Sequence, residues 1–323
     1  MSMTSLLSQH RRPAWVQECS GEFIGVFIFC YVGLGSTAAL TIGENTNQSQ
    51  LSSVLQIGLA YAFGIAVAII TCGMSSGGHF SPAITVTFSL FKNFPLKKVP
   101  LYIASQIAGA FSATLIVYAQ YRPYFLEIET RLVAAGKEAS LFSSSGPAGV
   151  FAIYPNPGVS LGWTFLNEFF ANIFIGLVVW ACLDPSNVFV TSTSIPAFIG
   201  LAWALVIWGF DPATLSTNVA RDVGARLGAI AIWGTNAWGG RYGAMSAFTP
   251  FLSTFLAACI YEFLLVDTSR VITASAKGLM ENNERQRERK AYKCDQVQDR
   301  CLFLHMNIET NEPLASESFV DSY

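Results

Sequence analysis

Six apolar runs, each of roughly the length that crosses a bilayer, decide what this chain can be. In hydrocarbon every backbone amide must find its partner inside the protein, so a run of about 20 such residues spans only as a helix. Residues 23–43, 54–74, 99–121 and 242–261 carry no charge, and 161–183 carries only Glu168. Residues 195–210 form a shorter run. The chain has 323 residues, of which 52% are hydrophobic and 12% charged. A soluble domain carries about 25% charged residues, so much of this surface is expected to face lipid. A net charge of −2 with no basic face argues against nucleic acid as a partner.

Seven cysteines occur, five of them in or beside apolar runs, where the thiol acts as a small hydrophobe. With no CxxC pair or metal-ligand spacing, no metal site is expected. No nucleophile–base pair or phosphate-binding glycine loop is apparent, so an enzyme is not expected. The first apolar run follows Arg11 and Arg12 and continues to spanning length, which argues against a cleavable signal peptide.

Two further apolar pieces, 82–91 and 219–233, do not fit as spans. The first is too short, and the second opens on Arg221, Asp222 and Arg226. Each is headed by a helix-start signal, Ser81-Pro82-Ala83 in one case and Asn218-Val219-Ala220 in the other. Each follows a glutamate in the first span of its half, Glu22 by 59 residues and Glu168 by 50. Three spans per half reverse the sense of the second half, giving an inverted repeat with its transport path at the interface. The chain is therefore expected to be an all-α membrane protein with six transmembrane helices and two re-entrant half-helices. A half-helix that starts at mid-depth points unpaired N–H groups and its positive dipole end inward. Two such ends facing each other repel cations and protons.

Basic residues favour the cytoplasmic side. With both termini inside, that side holds Arg11, Arg12, Lys92, Lys97, Lys98 and the eight basic residues from Arg270 onward. The domain plan is a tail over 1–14, a channel domain over 15–267 with repeats at about 15–121 and 160–267, and a tail over 268–323. The sequon Asn47-Gln48-Ser49 then lies outside. The basic cluster from Arg285 to Lys293 reads as a solvated tail or as a contact for anionic lipid. Gly21 with Gly25, and Gly58 with Ala62, provide small-residue spacing for close helix packing.

Several of these residues resemble the major intrinsic proteins, the aquaporins and aquaglyceroporins. Gly77-Gly78-His79-Phe80-Ser81-Pro82-Ala83 is similar to that family's first Asn-Pro-Ala box, and Asn218-Val219-Ala220-Arg221-Asp222 to the second box of the glycerol-conducting branch. Ser105-Gln106-Ile107-Ala108-Gly109-Ala110 and Tyr154-Pro155-Asn156-Pro157 add to the resemblance, which covers roughly residues 15–266. It implies the aquaporin fold, a homotetramer in a lipid bilayer with one pore per subunit, and passive conduction of glycerol and water without a cofactor. Urea and hydrogen peroxide fall in the same class of small neutral solutes. Two positions depart from the pattern, Ser81 for the first Asn and Val219 for the second Pro.

The resemblance further implies a selectivity filter containing Arg221, Tyr61, Ile207 or Val206, and Leu215 or Thr214. It puts Ser81 and Asn218 at the central half-helix caps, His79 on the pore lining, and Asp222 as an anchor. Glu22 and Glu168 have two readings. One is a proton relay in an ion-coupled transporter, since intramembrane acids are functional by default. The other, which the family implies, is support of the neighbouring re-entrant loops. A non-conducting structural role also remains open.

Overall fold

The computed structural model describes residues 13–46, 48, 50–210, 215–267, 269–282, 284, 285 and 288. Asn47, Ser49, Thr214, residues 1–12 and most of the basic cluster beyond Arg285 lie outside the described residues. The chain divides into two units, Met1–Ser269 and Arg270–Tyr323. In the second, residues 274–282 are helical.

Among the described residues the first unit holds eight α-helices, which we number α1 Ala14–Asn45, α2 Val54–Ser76, α3 Pro82–Phe91, α4 Val99–Ala134, α5 Leu161–Leu183, α6 Ile195–Phe210, α7 Val219–Trp233 and α8 Gly240–Ile260. No strand occurs among the described residues. Their ends follow local chemistry. The Ser53 hydroxyl accepts from the Gln56 amide at 3.2 Å and caps α2, and Gly77 closes that helix at φ 94°. A π turn, Tyr261–Leu265, continues α8.

Five of these segments are long and apolar enough to cross a membrane. Helix α6 has only 16 residues, about 24 Å at 1.5 Å per residue. Two spans differ from the sequence expectation. Helix α1 begins at Ala14, directly after Pro13, rather than at residue 23. Helix α4 runs to Ala134 rather than ending at residue 121. Its 36 residues measure about 54 Å, well beyond a hydrocarbon core of about 30 Å. Charge marks where a helix leaves lipid, not where it stops, because Arg and Glu are good helix formers.

The helices pair as two matched triplets. Helix α1 packs on α2 and α4, and α5 packs on α6 and α8. Each half-helix crosses over to the other half: α3 packs against α8, and α7 against α4. Contacts within and between the triplets need small residues. A Cβ on Gly109 would strike the Phe23 carbonyl of α1, and one on Gly224 would stand 2.5 Å from the Ile107 carbonyl oxygen of α4. Of the expected small-residue positions, Gly25 lies under the Phe80 ring and Gly58 under the Trp208 indole.

Gly224→Leu is therefore expected to cost at least about 1–3 kcal/mol by overpacking a backbone contact, lowering the thermal midpoint of the detergent-solubilised protein by about 5 °C or more. Gly209→Ala, where an added Cβ meets no atom within 4 Å, is expected not to lower it.

Candidate functional site

Two re-entrant loops meet between the half-helices, and both are built the same way. Phe80 and Thr217, each directly before its half-helix cap, sit in the left-handed region at φ 49° and 54°. Non-glycine residues there cost of order 1–3 kcal/mol and need the surroundings to hold them. The glutamates supply that hold. Glu22, fully buried, accepts the amides of His79 at 3.0 Å and Phe80 at 2.7 Å, and the Gln106 side-chain amide at 2.6 Å. Glu168, equally buried, accepts the amides of Ser216 at 2.5 Å and Thr217 at 3.3 Å, and the Tyr242 hydroxyl at 2.9 Å.

The loop tips touch. The Asn218 amide Nδ2 donates to the Phe80 carbonyl at 3.0 Å. Asn218 Oδ1 accepts the Ala220 and Arg221 amides at 2.9 and 3.2 Å, capping α7. Ser81 and Asn218 both sit at the cap positions of their half-helices, but of the two only Asn218 caps with its side chain. Ser81 accepts no amide hydrogen there with its hydroxyl. It lines a cavity instead, only 4% exposed. A hydroxyl beside a lumen gains little from capping that water does not also supply.

One cavity, of about 320 Å³, is lined by Tyr61, Ile207, Leu215 and Arg221 among others. A second cavity, of about 110 Å³, is lined by His79, Ser81 and apolar residues including Ile65 and Ile199. Phe29, Trp203 and Asn218 belong to both, so the cavities meet at the loop tips. Val206, the alternative to Ile207, lines neither of these two cavities and is 1% exposed.

Arg221 is 6% exposed and held on three sides. Its Nε donates to the Tyr61 hydroxyl at 3.0 Å, Nη1 to the Phe151 carbonyl at 2.9 Å and Nη2 to the Val150 carbonyl at 3.3 Å. His79 contacts Thr85 through Nδ1 at 3.2 Å, and its ring packs edge-on to Phe88 and Phe94. Asp222 is fully buried and reaches neither cavity; it accepts from Arg226 and from the Ser246 hydroxyl.

Sequence reasoning missed Phe29 and Trp203, for which no local signal exists, and Arg226. The signal for Arg226 was the Asp222–Arg226 spacing of four residues, which puts an acid and a base on one helical face.

A bundle of apolar helices surrounding a lumen, with two half-helices meeting inside it, defines a multi-pass integral membrane protein built around a transport path. The Major intrinsic protein family model matches residues 9–261. The chain belongs to the major intrinsic protein family, whose members are transmembrane channels. It is similar to Aquaporin-3 of Laccaria bicolor, 47% identical over 263 residues that cover 81% of this chain and 80% of that protein. It is also similar to the glycerol uptake facilitator protein of Pseudomonas aeruginosa, 32% identical over 260 residues covering 78% and 90%. The fold matches the X-ray structure of the aquaglyceroporin from Plasmodium falciparum at a TM-score of 0.64 and 23% identity, covering 78% of this chain and 97% of that one.

Glu168→Gln keeps the shape but turns an NH₂ toward a site that needs only acceptors. Loss of a single hydrogen bond to the charged group costs about 1.5–3 kcal/mol, so the variant is expected to unfold at lower temperature. An unchanged midpoint would show that the carboxylate does not support the loop.

Proposed function

We propose that this chain is a passive channel for glycerol and water, working as a homotetramer in the plasma membrane with both termini cytoplasmic and performing no catalysis. The constriction around Arg221 carries this reading. Of the five N–H donors of a guanidinium, three are spent on Tyr61, Phe151 and Val150. Two are left for a solute oxygen. Ile207 and Leu215 bring aliphatic side chains to the same cavity. A polar side and an apolar side suit a molecule with hydroxyls on one edge and carbon on the other. Arg221 and the two facing half-helix ends make a positive barrier to cations and protons.

The similarity to a glycerol uptake facilitator supports glycerol as solute. The distribution of basic residues supports the orientation, and the family resemblance supports the tetramer. Glu22 and Glu168 each hold two loop amides, which favours support over a proton relay.

Stopped-flow light scattering on proteoliposomes tests the proposal. Glycerol entry is expected to be many-fold faster than into protein-free vesicles, and equal rates would overturn it. A unit charge about 4 Å from a permeating proton is worth about 4 kcal/mol at an effective dielectric of about 20. Arg221→Ala is thus expected to raise proton leak by roughly tenfold or more. An unchanged leak and solute ranking would contradict the filter role.

A further inference from the structure

We infer that Arg226, which lines neither cavity, is a positioning residue that sets the constriction through the backbone of the outer loop, the connection between α4 and α5; the inference rests on Arg221 acting as the filter. Arg226 is 0% exposed, and its guanidinium is engaged on every side. Nε and Nη2 grip Asp222 at 3.1 and 2.7 Å. Nη1 donates to the Trp238 carbonyl at 2.9 Å, and Nη2 to the Ile153 carbonyl at 2.9 Å. The rings of Tyr154, Trp238 and Tyr242 surround it at 5.9, 5.9 and 5.5 Å.

Two consequences reach the pore. Ile153 lies two residues from Phe151, whose carbonyl holds Arg221 Nη1. The outer loop is therefore gripped by two arginines of one helix, Arg221 on the lumen side and Arg226 behind it. Tyr242, part of the ring cage, donates its hydroxyl to Glu168, which holds Ser216 and Thr217 beside Leu215. One buried hub thus sets the Arg221 wall and the Leu215 wall together. The first half has no counterpart. Aligning Ser81 with Asn218 pairs Thr85 with Asp222 and Ser89 with Arg226.

The lysine of Arg226→Lys keeps the charge and loses the planar fork that matches the carboxylate and two carbonyls at once. The Val150–Phe151 carbonyls then shift. Arg221 stays tethered through Nε to Tyr61 and swings its Nη groups into the lumen. Glycerol, which fills the constriction, suffers more than water.

The test measures glycerol and water permeability in proteoliposomes for the parent, Arg226→Lys and Tyr154→Phe, normalised to folded protein. Tyr154→Phe removes the hydroxyl that donates to the Ala237 carbonyl and keeps the ring beside Arg226, a milder loosening of the same loop. The glycerol-to-water ratio is expected to fall about threefold or more in Arg226→Lys and to move the same way in Tyr154→Phe. A purely structural role reduces the number of folded channels and leaves the ratio alone, so unchanged ratios overturn the inference. If Arg226→Lys does not fold, Tyr154→Phe decides by itself. No glycerol flux in the parent overturns the proposed function instead. Water permeability per folded molecule then decides the role of Arg226: a fall in the variants supports it, and no change refutes it.

Discussion

A backbone that breaks its helix at mid-depth leaves amide hydrogens that lipid cannot satisfy. In both halves of this chain a buried glutamate on the first helix accepts them. Glu22 takes the amides of His79 and Phe80, and Glu168 those of Ser216 and Thr217. These bonds hold Phe80 and Thr217 in a left-handed conformation that neither side chain favours. The strained residues precede the half-helices directly, so each glutamate sets where a half-helix starts. Everything in the lumen follows from that placement: the contact of Asn218 with the Phe80 carbonyl, the position of Arg221 one turn into α7, and the junction of the two cavities.

The two halves share this plan but diverge in chemistry. The second half-helix has an asparagine cap and a buried ion pair, Asp222 with Arg226 at 2.7 Å. The first has a serine that makes no side-chain cap, and at the matching place Thr85, which hydrogen-bonds with Gln106 and His79. The half-helix carrying the charge pair also carries Arg221, whose guanidinium lines the larger cavity. A buried pair is weak evidence for stability in itself. Here it binds the carbonyl of an adjacent loop, which gives it a geometric task.

Much of this was legible from residue order. The half-helices begin where Ser81-Pro82 and Asn218 put their start signals, and they end at Phe91 and Trp233. The residues expected at the constriction, Tyr61, Ile207, Leu215 and Arg221, line one cavity. The full extent of α4 was not legible, because apolarity reports contact with lipid and the helix outlasts that contact. Phe29 and Trp203 reach the junction through tertiary packing alone. Arg226 was visible only as a charge that disqualified its segment as a span. Serine is an ordinary helix cap, as Ser53 shows, so nothing local announced that Ser81 would turn away from that role.

The transport path depends on two half-helices held amino end to amino end where the two cavities meet. An experimental structure in lipid that resolves ordered water tests this most directly. It should show a file of density running from Arg221 past Asn218 to His79, between Phe29 and Trp203, with both glutamates on their loop amides. Asn218 out of hydrogen-bonding reach of the Phe80 carbonyl, with side chains filling the space between the two cavities, would contradict it.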